Sequence, residues 1–232
     1  MTPTSDDADA ESTLQEAARL AAVYRYDILD TPADGAFDQL AALAAELVDV
    51  PIAIVSIVDE DRIWFKAHHG LDVSEIPRDP GLCASAIFHD DTWVVENAIT
   101  DPRTLANPLV AGEFGLRFYV GHPLTTHDGH NLGTLCVIDH EPREVTEHQT
   151  RILRGLAQLV VEQLELRLNA RRAVTSAENR LSEVQHLADA LQRSLLPPNM
   201  PVIPYVNMAA SYNPASKYEV GGDFYDIFPI DS

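Results

Sequence analysis

Residues 220–232 read VGGDFYDIFPIDS, and in them Asp223 follows two adjacent glycines between two strand-like runs. Hard divalent cations take carboxylate oxygens, and glycine lets backbone approach closely, so the stretch looks like the opening of a metal site. One carboxylate does not complete such a site, and the expectation is a catalytic domain begun and left unfinished, with no catalytic residue in the chain itself. Cys83 and Cys136 are the only thiols, 53 positions apart. Their flanks, Leu82 and Ala84 or Leu135 and Val137, are apolar. They read either as buried inert cysteines or as a redox or metal-sensing pair. Arg62 follows Asp59 and Asp61 and suits either a turn ion pair or capture of an anion. His122 lies inside a strand-like run, where a hydrogen-bonded, half-buried ring competes with a ligand role. His68, His69, His127 and His130 sit near turns without the spacing of a zinc motif.

The elements that must position these residues belong to a chain of ordinary globular composition, 46% hydrophobic with a net charge of −20. The charge is uneven. Residues 1–140 hold 24 acids against 7 bases, residues 141–195 hold 8 of each, and residues 196–232 hold 4 acids and 1 base. An acidic globule repels phosphate backbones, which argues against nucleic-acid binding. No apolar run approaches the length of a membrane span, and two distant cysteines make no disulfide framework. A cytoplasmic protein is expected. The acidic, polar start, residues 1–14, reads as a disordered tail.

From residue 15 the pattern is mixed. LQEAARLAAVYRYDILDTP has helical spacing and breaks at Thr31-Pro32. A second helix is expected from about Ala36 to Val48, with Phe37, Leu40, Leu43, Ala44 and Leu47 on its apolar stripe. IAIVSIVD and RIWFKAHH around an acidic turn make a hairpin, and Pro and Gly punctuate a loop over residues 70–81. A short helix around CASAIFH, the strand TWVVE and a further loop with Asn107-Pro108 follow. RFYVGHPLT and LGTLCVID then close the sheet across the Asp-Gly turn of HDGHN. This is an α+β arrangement, one antiparallel sheet with flanking helices over residues 15–145.

Residues 146–196 change character. Thr146 is the expected N-cap of a long helix with a 3–4 repeat at 153, 156, 160, 163, 167, 170, 174, 177, 181, 184, 188, 191 and 195. Eleven of these thirteen positions are apolar. Roughly 70 Å of helix exceeds what one small domain covers, so a parallel two-stranded coiled coil is expected. Its seam is Leu153, Leu156, Val160, Val174, Leu181, Val184, Leu191 and Leu195, with Gln163 and Arg167 as soft spots. Pro197-Pro198 ends it.

Two resemblances rest on these residues. ILDTP…IAIVSIVDEDRIWFKAHHG…EIPRDPGLCASAI…RFYVGHPL…LGTLCVID resembles GAF domains, small-molecule sensor modules of bacterial signalling proteins, over roughly residues 15–168. It implies a ligand pocket on the concave side of the sheet, with Arg62, Trp64, Cys83, Tyr119, His122 and Cys136 as candidate lining residues and an unknown ligand. ALQRSLLPPNMP…VNMAASYNPASKYEVGGDFYDIFP, about residues 188–232, resembles the linker and first strands of SpoIIE-like, PPM-type serine/threonine phosphatases. That implies Asp223 as an early ligand of a two-metal Mn2+ or Mg2+ centre in the complete domain, acting on a phosphoprotein of the anti-anti-sigma type. No cofactor is expected in the chain itself. A free-standing dimeric sensor, and a thiol-dependent redox sensor or reductase using Cys83 and Cys136, are the alternatives.

Overall fold

The computed structural model of the chain describes residues 5–195, with side chains for residues 11–191. Asp223 and the expected β-stub of residues 197–232 lie outside the described residues. Eleven elements follow one another: α1 (Ser5–Tyr26), α2 (Gly35–Val48), β1 (Ile52–Val58), β2 (Arg62–His69), β3 (Glu75–Pro77), α3 (Leu82–Ala86), β4 (Trp93–Val95), α4 (Pro108–Ala111), β5 (Phe118–Thr125), β6 (Asn131–Asp139) and α5 (Glu147–Leu195). The chain divides into two compact units at Asn169/Ala170; the first contains the whole sheet, and the described part of the second is helical.

The sheet is antiparallel throughout, in the order β3-β2-β1-β6-β5-β4. Helices on one face and loops with short helices on the other cover both sides of its central strands. Every residue of β1 is therefore buried, and IAIVSIV reads as a continuous apolar run rather than an alternation. Two cores result. Phe37, Ala41 and Ala44 of α2, Val23 and Tyr26 of α1, and Leu153, Val160 and Leu164 of α5 close on Val55, Trp64, Val120 and Leu135. On the opposite face, Leu82 and Cys83 of α3 close on Ile54, Phe65, Tyr119, Cys136 and Ile138.

A bulge between Val55 and Ser56 inserts one extra residue in β2, so Val55 faces Ala67 while Ser56 faces Phe65. The residue between them, Lys66, is buried on the helical side. Its ammonium donates to Thr31 Oγ1 at 3.0 Å and to the Pro32 carbonyl at 2.7 Å, and lies 5.4 Å from the Phe37 ring centre and 5.8 Å from that of Trp64. A buried ammonium needs such partners, and these anchor the turn entering α2 to the sheet.

Helix ends follow sequence chemistry. Asp34 caps α2 by accepting from the Ala36 amide at 3.1 Å. At α5 the Gln149 amide donates to Thr146 Oγ1 at 3.2 Å and the Thr146 amide to Gln149 Oε1 at 3.0 Å, a reciprocal capping box.

Four expectations need correction. Helix α1 begins at Ser5, inside the stretch read as a disordered tail; a polar, acidic start is equally the composition of a helix N-terminus. The loops hide β3 and α4, the first a three-residue edge strand ending in proline, the second a single turn opened by Asn107 and Pro108. The buried stripe of α2 is Phe37, Ala41, Ala44, Ala45 and Val48, leaving Leu43 and Leu47 exposed, because alanines allow α2 to lie close on the sheet. The largest correction concerns the seam. Leu153, Leu156 and Val160 are only 1%, 6% and 0% exposed, packed in the core of the first unit together with Leu164 and Leu168. Arg167 does not interrupt a seam: it pairs with the Asp34 carboxylate and lies 5.9 Å from the Phe37 ring centre. Of the remaining seam residues, Val174, Leu181, Val184 and Leu191 are 58%, 59%, 64% and 53% exposed, and the side chain of Leu195 is outside the described set.

Candidate ligand pocket and buried thiol pair

The face of the sheet away from the long helices has no long helix to cover it. Short α3, β3 and the loops around Leu71 and Leu109–Leu116 do so instead, and they leave a cavity of about 130 Å³. Its walls come from every covering element. Ile54, Phe65, Tyr119 and Ile138 rise from β1, β2, β5 and β6, while Ile76, Leu82, Cys83, Leu109, Phe114 and Leu116 close it from above. The accessible surface of this cavity is wholly apolar. Small ligands that enter such a site gain from burial, and a few polar groups at its edge set orientation.

A polar cluster lies beneath this lining, at the sheet. Cys83 Sγ of α3 stands 3.7 Å from Cys136 Sγ of β6, and both thiols are free, with the residues 5% and 0% exposed. Beside them, Ser56 Oγ lies 3.0 Å from Thr134 Oγ1 and donates to the Thr134 carbonyl at 3.2 Å, a pairing set by the β1–β6 register. The hydroxyl of Tyr119 is buried without a hydrogen-bond partner, as is the indole nitrogen of Trp93, whose ring meets Tyr119 edge-on at 5.4 Å. Burial pushes the Tyr119 phenol well up. The Cys136 thiol, hydrogen-bonded to Cys83, favours a thiolate at Cys83 against the opposing effect of burial and draws its pKa down to about 6. The second proton is held far more tightly: once Cys83 has lost its own, hydrogen bonding, burial and the neighbouring negative charge all push Cys136 well up.

The pocket thus gathers three of the six residues expected there. Cys83 and Tyr119 line the cavity, and Cys136 touches Cys83 directly beneath. The other three point elsewhere. Trp64 faces the helical core, because neighbours on a strand alternate; its neighbour Phe65 takes the pocket side. Arg62 binds carboxylates, Asp30 at 2.6 Å, Glu75 at 2.7 Å and Asp59 at 3.4 Å, which extends the expected turn ion pair with Asp59 to two distant partners. Its guanidinium is engaged at the sheet edge rather than offered to an anion. His122 Nδ1 lies 2.9 Å from Thr92 Oγ1; burial first, and Arg154 second, lower its pKa and favour the neutral ring.

Phe65, Ile54, Leu82, Leu116 and Ile138 were not expected from the sequence. Their signal was available in the period-two pattern of the strands, but choosing the face required locating the bulge at Lys66. Among the described residues, no group of three or more His, Cys, Asp or Glu is placed to hold a metal ion. Asp223, which the resemblance would make a metal ligand, lies outside these residues. Nor, among the described residues, is any helix long and apolar enough to cross a membrane.

The GAF domain model matches residues 32–164. A cyclic di-GMP phosphodiesterase of Pseudomonas aeruginosa is 42% identical over 150 residues, 64% of this chain and 26% of the relative, so the chain spans about a quarter of that protein's length. Among solved structures, the GAF domain of Thermosynechococcus elongatus PixJ in its blue-light-absorbing form aligns with a TM-score of 0.50 at 17% identity, covering 67% of this chain and 93% of that one. The GAF domain from an Acinetobacter phosphoenolpyruvate-protein phosphotransferase aligns at 0.49 with 20% identity, covering 68% and 95%. With more than half of its length matched by the family model, the chain belongs to the GAF domain family.

Proposed function

We propose that this chain is the sensory part of a cytoplasmic bacterial signalling protein, and that a small, mostly apolar molecule in the cavity beneath α3 sets the state of an output enzyme. The observation that carries the reading is the cavity itself: about 130 Å³, walled by apolar side chains, with the Tyr119 side chain in its wall. Filling a dry apolar cavity restores the packing contacts that its lining lacks, which an apolar ligand can supply. The test is thermal protection of the purified chain by phenol and by benzene. Benzene is expected to raise the Tm further than phenol, whose hydroxyl would be buried there without a partner. Absence of protection by either probe overturns the reading.

For the output, the resemblance of residues 188–232 supports a SpoIIE-like PPM phosphatase that uses Mn2+ or Mg2+, with Asp223 as a metal ligand and an anti-anti-sigma-type phosphoprotein as substrate. The Pseudomonas relative supports a second reading, in which a sensor of this kind serves cyclic di-GMP hydrolysis. Manganese-dependent release of phosphate from a phosphoserine peptide by the protein carrying its whole output domain, lost in Asp223→Ala, favours the first. Hydrolysis of cyclic di-GMP favours the second.

A further inference from the structure

The two thiols beneath the cavity have no part in the binding reading above, and their placement is itself informative. Cys83 sits on a five-residue helix between loops, whereas Cys136 sits in a strand paired on both sides, to β1 and β5. Their sulfurs are 3.7 Å apart, and a disulfide requires about 2.05 Å. The remaining gap of roughly 1.7 Å is of the size that a short, loop-tethered helix can close without disturbing the sheet. Cys83 lines the cavity, and Cys136 lies behind it. The wall also includes Val73, a solvent-exposed residue, which puts the cavity close to the protein surface there. A neutral oxidant not much larger than water fits this space, while a bulky electrophile does not.

We infer that Cys83 and Cys136 are a peroxide-oxidised pair that closes to an intramolecular disulfide under the pocket floor. Cys83 sulfur attacks one oxygen of hydrogen peroxide, the O–O bond breaks, and the departing hydroxide takes the Cys83 proton and leaves as water. Cys83 is then a sulfenic acid. The sulfur of Cys136 attacks that sulfur, the S–O bond breaks, and hydroxide leaves with the Cys136 proton as a second water. Two thiols and one peroxide give one disulfide and two waters, a two-electron oxidation of the protein. The hydroxyls of Thr134 and Tyr119 stand beside Cys83 and favour its thiolate. Closing the bond draws α3, with Leu82, onto the sheet and reshapes the cavity wall.

The experiment uses the whole native chain. Protein is exposed to excess hydrogen peroxide, quenched in denaturant with a thiol-alkylating reagent, and read by intact mass and by peptide mapping. The expected result is loss of both alkylatable thiols, a mass lower by two hydrogens, and a peptide cross-linked through Cys83 and Cys136 within one chain. Dithiothreitol should restore both thiols, becoming a cyclic disulfide itself. In Cys136→Ala, dimedone included in the denaturing quench should trap a sulfenic acid on Cys83; in Cys83→Ala, Cys136 should stay unmodified. Two thiols still alkylatable after peroxide, sulfinic or sulfonic acids without the cross-link, or a cross-link between chains would each overturn the inference. The wild-type result does not depend on a variant folding. It is separate from the phenol and benzene assay, so either reading can fail alone.

Discussion

The side chain of Tyr119 lies over Gly121, two residues further along the same face of β5. A Cβ built at Gly121 would stand 2.4 Å from the Tyr119 hydroxyl oxygen and 2.8 Å from the ring carbon that carries it. Trp93 presses on the same ring edge-on, so the tyrosine has little room to swing away. Glycine in a strand normally weakens it, and alanine would ordinarily help. Here the sign reverses. Gly121→Ala is expected to cost about 1–3 kcal/mol through overpacking. Differential scanning calorimetry should show a Tm lower by roughly 2–4 °C for each kcal/mol. Adding Tyr119→Leu should make the double variant less destabilised than the sum of the two single changes, because they share one contact.

Gly133 tests the same idea against backbone. A Cβ there would meet the carbonyl oxygen of Ser56 at 1.9 Å and its carbon at 2.7 Å, across the central β1–β6 pairing. A side chain can rotate away, but a paired strand cannot. Gly133→Ala is therefore expected to be much worse than Gly121→Ala, with loss of cooperative unfolding by circular dichroism. Equal Tm values for the two variants would show that the strands can separate locally.

A third expectation concerns acid. Glu16 of α1 is partly buried, which alone would raise its pKa. Hydrogen bonds from Arg19 at 2.8 Å and Arg78 at 2.6 Å outweigh this and hold it at about 2 instead of 4.5. Arg19 also donates to the Val58 carbonyl at 2.7 Å, so the cluster fastens α1 to the end of β1 and to the segment before α3. A carboxylate with a lowered folded pKa adds stability above its unfolded value, and that stability fades as pH falls toward the folded value. The Tm advantage of the wild type over Glu16→Gln should thus be full above about pH 4.5 and shrink progressively toward about pH 2. A gap that stays constant over this window would remove Glu16 from the account.

Much of this was legible in the residues. The hairpin IAIVSIVD/RIWFKAHH and the closing pair around the Asp-Gly turn appear as strands within a residue or two of their expected ends, since β-branched runs bounded by turns have few other uses. The short elements were harder: Glu75–Pro77 becomes a strand only because Arg62–Trp64 offers a free edge. The pocket was half legible. Cys83, Tyr119 and Cys136 converge, but Trp64 and His122 fall on the other face, a choice that depends on strand direction and on one bulge. The α5 repeat shows the deepest limit. A helix lying on its own sheet and a helix in a coiled coil both need apolar residues three and four apart, and Leu153, Leu156 and Val160 satisfy either. The two periods part only at the next turns, where the protein buries Leu164 and Leu168 in place of 163 and 167.

That division yields the final prediction, on the proposed parallel homodimer. Leu153, Leu156 and Val160 belong to the core of the first unit and are not free to pair with another chain. Any pairing through the original repeat must use positions beyond Asn169, where Val174, Leu181, Val184 and Leu191 are exposed. Fully burying a side chain of this size is worth about 1.5–3 kcal/mol before the cost of ordering it, so four such residues on each chain offer a dimer a substantial gain. Sedimentation equilibrium should therefore find the wild type dimeric at micromolar concentration. Leu181→Asp should be a monomer with the same thermal transition for the sheet domain, since no core residue has changed. Leu156→Asp should behave oppositely and lose the cooperative transition itself, because a carboxylate would enter a closed apolar core. A monomeric wild type, or a Leu181→Asp protein that still dimerises, would sink the assembly; a Leu156→Asp protein that keeps its fold and merely dissociates would return the seam to residues 153–160.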